Sequence, residues 1–317
     1  MRPVVAAATV AVLLIVVACG GEQGRVRRAG GPDAVSTTTA PAGGRDPATA
    51  PPGAGASEDA VRTATCQGAA PLDRDCLLLL PLEERAGERL PVVLLLHGLA
   101  VGPTSIRDVG RWVDALGRRR FLLVTPHGVA DAWNAGGCCA VPRVLGIDDV
   151  AYLRALLASV TARPDADPAR VYVVGHSNGG MMAYRLLCDA ATPVVAMASV
   201  AGTDVSGCAA ARPVPVLHVH ATGDQVVPFA GGASVAMLLL GVDLPAADAT
   251  LEARASAWGC GAPVEGAGDG VRTRRWSGCA AGAVVEQRTI EGGDHDWPRA
   301  PVLDTTSAVL DFFGIGS

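Results

Sequence analysis

The sequence predicts an α/β domain with a mostly parallel central sheet and helices on both faces. Three observations carry that reading. Several short runs are apolar throughout rather than alternating, as in strands buried on both faces. Those runs take turns with segments of helical periodicity, the order of a parallel sheet joined by right-handed crossovers. One of them passes through a glycine-rich turn straight into a helix.

The elements follow in order. Strands are expected over 75–80 and 91–96, the second being Pro91-Val92-Val93-Leu94-Leu95-Leu96. A helix over 105–118 precedes a strand over 121–125. Asp148 and Asp149 open a helix over 148–162, because carboxylates suit a helix N-terminus. Val171 to Val174 is an apolar strand between Arg170 and Gly175, and a helix runs from 178 to about 190. Strands over 194–200, 215–220 and 284–290, with helices over 247–258 and 305–313, complete the set. No internal repeat is visible, so residues 63–317 read as a single domain.

Composition narrows the function. Half of the 317 residues are hydrophobic and 18% are charged, which excludes disorder throughout. No apolar run supports several spanning helices, which excludes a polytopic membrane protein. The formal net charge is −5 and all 26 basic residues are Arg, without a basic cluster in the sequence. No nucleic-acid partner is expected of such a chain.

Residues 1–18 read as a signal peptide, with Met1-Arg2 ahead of an apolar run over 4–17. The run ends in Val16-Val17-Ala18-Cys19, which resembles a bacterial lipobox. That resemblance implies diacylglycerol on the Cys19 sulfur and cleavage before it, hence a membrane-anchored or secreted extracytoplasmic protein. Arg25, Arg27 and Arg28 after the apolar run oppose the usual charge bias. Residues 19–62 then form a tether rich in Ala, Gly, Pro and Thr, with five Arg balanced by five acidic residues. Flexible chain of that length averages roughly 35–40 Å end to end.

There are nine Cys, and lipidating Cys19 leaves an even eight, the arithmetic of an exported disulfide-bonded domain. Proximity suggests Cys66–Cys76 and Cys260–Cys279. The adjacent Cys138 and Cys139 could bond to each other or to two further partners. No CxxC motif is present, so no metal site is expected.

The chemistry centres on Gly175-His176-Ser177-Asn178-Gly179-Gly180. A G-x-S-x-G motif between an apolar strand and a helix is the context of a nucleophile elbow. The turn is too tight for a Cβ at Gly175 or Gly179, and it would expose the Ser177 hydroxyl at the carboxyl end of the strand. A serine needs a base, and the base an orienting carboxylate. His295 lies in a late loop, between the strand over 284–290 and the last helix. Asp224 follows the strand over 215–220 and is the expected acid, with Asp204 as its rival. His218 and His220 are expected to be packed and hydrogen-bonded. Asn178 would offer one backbone N–H to an oxyanion, and Leu99, after His97-Gly98, a second. His97 is expected to bond that loop.

With these motifs in place, the chain resembles the esterase family of polyhydroxybutyrate depolymerases, feruloyl esterases and acetylxylan esterases, over residues 63–317. The carriers are Leu96-His97-Gly98, Trp133-Asn134 with Cys138-Cys139, Asp148-Asp149-Val150, the serine motif, Gly223-Asp224 with Val227-Pro228, and Gly293-Asp294-His295-Asp296-Trp297-Pro298. The resemblance implies an α/β-hydrolase fold and a serine esterase needing no cofactor, acting on small-molecule or polymer esters; a monomer is expected. It also implies substrate-facing roles for Trp133, Asn134 and Trp297. Leu99-Ala100-Val101 and Asp296 depart from the family pattern at the mouth of the site, so substrate identity is the property they affect. No appended substrate-binding domain is expected, which weighs against attack on insoluble granules. A peptidase or amidase of the same fold, and a non-catalytic envelope lipoprotein, are the alternative readings.

Overall fold

The computed structural model describes residues 61–66, 74–208 and 212–316. The expected signal peptide, Cys19 and the tether up to residue 60 lie outside the described residues. Ten strands form one sheet in the order β1-β2-β4-β3-β5-β6-β7-β10-β9-β8. They are β1 (Val61–Thr65), β2 (Cys76–Pro81), β3 (Leu90–Leu96), β4 (Leu122–Pro126), β5 (Ala166–His176), β6 (Ala196–Val200), β7 (Val216–Ala221), β8 (Val264–Gly268), β9 (Val271–Trp276) and β10 (Val285–Ile290). The stretch β4-β3-β5-β6-β7-β10 is parallel, and both flanks are antiparallel.

The apolar runs behave as their composition requires. Every residue of β3 is buried. Val92, Leu94 and Leu96 enter one core, while Val93 and Leu95 enter the other. Successive side chains of a strand point to opposite faces, so one unbroken apolar run feeds two cores. The first core is covered by α4 (Asp149–Thr161), α5 (Asn178–Leu186) and α7 (Ala247–Ala257), through residues such as Leu153, Met182 and Leu251. The second is covered by α1 (Pro103–Val109), α2 (Trp112–Arg118) and α8 (Thr305–Phe312), through Ile106, Trp112 and Val309. Short helices α3 (Ala140–Leu145) and α6 (Val235–Leu239) lie in the connections.

Four details differ from expectation. Strand β1, Val61–Thr65, has no counterpart in the expected elements. The helix expected over 105–118 is two helices, because Gly110 packs against the Trp112 indole and Arg111 takes a left-handed conformation at φ 51°. The helix after Ser177 stops at Leu186, and an Asp189 turn that bonds the Ala191 N–H replaces its last expected residues. The β8–β9 hairpin has no counterpart in the expected elements. Every residue of β8 is exposed, so no hydrophobic period marks it. The Asp269-Gly270 turn, with positive φ at both residues, was its one legible signal.

Four disulfides join Cys66–Cys76, Cys138–Cys139, Cys188–Cys208 and Cys260–Cys279. They pair all eight cysteines that follow Cys19.

Candidate active site

The carboxyl ends of β3, β5, β7 and β10 bring the predicted residues together. Ser177 follows the last residue of β5 and precedes α5, with φ 54° and ψ −121°. That strained conformation lies in a region a non-glycine residue rarely visits. It is held from both sides: the Ser177 N–H donates to the Val200 carbonyl at 2.8 Å, and its own carbonyl accepts from Met181 N–H at 3.0 Å. A Cβ on Gly175 would strike the Gly179 backbone, and one on Gly179 would strike the Leu96 and His97 carbonyls. Both glycines are therefore demanded by close approach rather than by flexibility.

His295 sits between Ser177 and Asp224. Its Nδ1–H donates to Asp224 Oδ2 at 2.7 Å. Nε2, left with a lone pair, accepts from the Ser177 hydroxyl at 2.9 Å. Asp224 is 3% exposed, and its other oxygen accepts from the Val226 and Val227 N–H groups, each at 2.8 Å. Burial alone would raise its pKa, but hydrogen bonds from His220 and His295 outweigh that and hold it well below the usual carboxylate range. The acid loop and the histidine loop are locked by close packing: a Cβ on Gly223 would run into the Gly293 carbonyl.

The two expected backbone donors, Leu99 and Asn178, lie on segments beside Ser177. A Cβ on Gly98 would stand 3.4 Å from that of Ser177, so the loop carrying Leu99 is pressed against the elbow. The Asn178 N–H opens α5, where helical N–H groups lack intrahelical partners. Neither it nor the Leu99 N–H donates to a protein acceptor among the described residues. His97 holds this loop: it is fully buried, its Nδ1 bonds the Gly98 carbonyl and its Nε2 accepts from Gly128 N–H. Burial pushes its pKa down to about 4, so it stays neutral.

No known family profile matches the chain. Feruloyl esterase B of Piromyces equi is 30% identical over 173 residues, 53% of this chain and 31% of that protein. NocK of Nocardia uniformis subsp. tsuyamanensis, named as an inferred esterase, is 32% identical over 232 residues, 67% of this chain and 66% of that protein. The chain thus spans less than a third of the first relative's length. Among solved structures, an acetyl xylan esterase from Aspergillus awamori superposes with a TM-score of 0.57 at 13% identity, covering 81% of this chain and 99% of that one. That superposition establishes the α/β-hydrolase fold.

The chain belongs to the feruloyl esterase-type α/β-hydrolase family.

Within the site of this family member, two expected substrate residues take other work. Trp133 is fully buried, and its Nε1–H donates to the His97 carbonyl at 3.0 Å. Asn134 donates from Nδ2 to the Ile147 carbonyl and accepts through Oδ1 from Arg185 and Gly136. Neither lines the pocket beside Ser177. They are loop anchors, because their polar atoms are consumed by the protein itself. The Asn178 side chain clamps the same loop, accepting from Trp133 N–H and donating to the Trp133 carbonyl. Asp148 caps α4, and Asp149 accepts from Asn134 N–H and pairs with Arg74.

Trp297 does wall the pocket, together with Leu99, Val101, Ile106, Val226 and Met237 around Ser177 and His295. The cavity measures about 180 Å³. His176 packs between the His295 and Trp297 rings, and burial pushes its pKa down to about 3. Asp204, the rival acid, pairs with Arg254 and bonds Ser206 instead.

A functional contact was missed in the sequence. His220 Nε2 faces both the Val227 carbonyl at 2.8 Å and Asp224 Oδ2 at 3.2 Å, so it carries the proton. His220 Nδ1 then accepts from His218 Nε2–H at 3.1 Å, and His218 Nδ1 accepts from the Tyr184 hydroxyl at 3.0 Å. This buried line of donors ends on the acid. The spacing of His220 and Asp224 across the strand end was its only signal.

Proposed function

We propose that the chain is a serine esterase that hydrolyses carboxylic esters through Ser177, His295 and Asp224. The observation that carries the reading is the continuous hydrogen-bond line from Ser177 Oγ through His295 to Asp224, set on a strained elbow. In this reading His295 takes the Ser177 proton as the hydroxyl attacks the ester carbonyl. The backbone N–H groups of Leu99 and Asn178 receive the negative charge that develops on the carbonyl oxygen. Asp224, ionised by its four donors, stabilises the imidazolium and keeps its Nδ1–H pointed inward. The imidazolium then returns the proton to the departing alcohol. Water, deprotonated by His295, releases the acyl group from Ser177. No step calls for a cofactor.

The small, mainly apolar pocket suits a short acyl or compact aryl group, and the relatives named as feruloyl and acetylxylan esterases support the same ester classes. Hydroxyalkanoate oligomers fit the same description. Export and lipid attachment at Cys19 are part of the proposal, supported by four disulfides of the kind an oxidising compartment maintains.

The test pairs the wild-type protein with Ser177→Ala. Both are exposed to a fluorophosphonate, p-nitrophenyl esters of increasing acyl length, and methyl ferulate. Labelling and turnover in the wild type alone, with kcat reduced by at least about 10⁴-fold in the variant, is the expected result. Equal turnover in both proteins would remove Ser177 from the mechanism.

A further inference from the structure

We propose that an arginine-lined cavity at the end of the sheet opposite Ser177 seats the anionic headgroups of a phospholipid membrane and orients the domain on it. The cavity measures about 810 Å³, against about 180 Å³ beside Ser177. Arg85, Arg89, Arg118, Arg119, Arg120 and Arg170 line it, and Glu83 and Glu88 are the acidic residues of the lining. Arg120 pairs with Glu88, Arg119 with Asp311 and Arg170 with Asp167. Arg85, Arg89 and Arg118 are exposed and have no ion pair among the described residues. Leu82 stands on the rim, 56% exposed, an apolar side chain among cations. In a chain of formal net charge −5, this lining carries six positive side chains against two negative ones.

The topology explains the clustering. β4, β3 and β5 are adjacent and parallel. Arg120 lies just ahead of β4, Arg89 directly before β3, and Arg170 directly before the buried part of β5. All three strands therefore start at the cavity and run toward the catalytic end. Ser177 lies seven residues beyond Arg170, roughly 20 Å along the strand.

The same face receives the chain that precedes the domain. Val61, the first residue of β1, is paired with Pro81, which lines the cavity. Residues 1–60, with the proposed lipid at Cys19, thus join the domain beside the arginines. A membrane that holds that lipid meets this face first, with the Ser177 pocket turned away from it toward soluble esters. The proposal gains its purpose from the anchoring reading, but its test does not depend on lipid at Cys19 or on ester hydrolysis.

The chain from residue 19 onward, carrying Cys19→Ala, is sedimented with vesicles of phosphatidylglycerol and with vesicles of phosphatidylcholine. It is compared with the same chain bearing Arg85→Glu, Arg89→Glu and Arg118→Glu, and with the milder triple glutamine variant. The wild type is expected to bind phosphatidylglycerol but not phosphatidylcholine, and to release as salt rises. Loss of three surface arginines weakens such binding on the order of a hundredfold. A retained melting temperature and far-UV circular dichroism spectrum show that the variants fold. Equal binding by wild type and variants, binding to both lipids alike, or no binding overturns the proposal. Saturable binding of inorganic phosphate without vesicle binding also overturns it, since the cavity would then hold a free anion and not a surface.

Discussion

His220 shows how much of the site is built behind the residues that meet substrate. The proposed acid, Asp224, accepts from two backbone N–H groups and two imidazoles, more partners than a carboxylate needs merely to stay in place. Every donor favours the ionised form, which is the form that steadies an imidazolium. Replacing His220 with Phe removes one donor and leaves His218 Nε2–H unpaired in a buried setting. We expect kcat to fall roughly tenfold, in line with a lost hydrogen bond to a charged group, with KM unchanged. His220→Gln keeps a donor in reach and is expected to recover much of that loss. Steady-state kinetics of the two variants across pH separate this effect from simple destabilisation, which would lower both alike.

At the scale of elements, the β5–α5 elbow is the piece with least tolerance. The helix can approach the sheet only because Gly179 presents no side chain to the Leu96 and His97 carbonyls. That same approach sets Asn178 against Trp133, and Trp133 against the His97 carbonyl. The elbow and the loop bearing Leu99 are therefore one mechanical unit. Gly179→Ala is expected to lower stability by about 1–3 kcal/mol. It should also reduce turnover beyond what the stability change explains, because the two proposed oxyanion donors, Leu99 and Asn178, separate. Thermal melts and kinetics on the same preparation check both parts. An active Gly179→Ala enzyme of wild-type stability would contradict the packing described.

At the scale of the molecule, two features govern stability. Burial holds His97 at about 4, His176 at about 3, and His218 well below its usual value. In the unfolded chain each takes up a proton near 6.5. Folded pKa values lie below unfolded ones, so stability is complete above about pH 6.5 and is lost as the pH falls. Each histidine contributes a slope of up to about 1.4 kcal/mol per pH unit, and that of His97 levels off near its folded value. Below about pH 4 the depressed Asp224 adds to the loss, because the unfolded carboxyl is protonated first. Melting temperatures between pH 7 and 4 should fall steadily; a flat profile would mean these rings are reachable by protons in the folded state. The second feature is cross-linking. Cys188–Cys208 and Cys260–Cys279 span 20 and 19 residues, and loops of that size are worth about 3 kcal/mol each. Urea unfolding with and without reductant should show a loss comparable to a typical domain's whole stability.

Much of this protein was already legible in its residue order. Strands such as β3 and the apolar half of β5 announce themselves, because a run buried on both faces must be apolar without a gap. The elbow is equally plain, since its close approach admits only glycine at Gly175 and Gly179. The proposed Ser177, Asp224 and His295 could be picked because each follows a predicted strand in the order such sheets require. What sequence order cannot carry is distance between side chains. Trp133 and Asn134 looked substrate-facing until their polar atoms were found bonded to His97 and Ile147. The hairpin of β8 and β9 left only its Asp269-Gly270 turn to read, because an exposed edge strand needs no hydrophobic period. His220 met Asp224, and arginines from four separate stretches met in one cavity, only when the strands were laid side by side. Patterns along the chain record what each segment must bury. Which groups face one another across segments is decided by the packing of the whole.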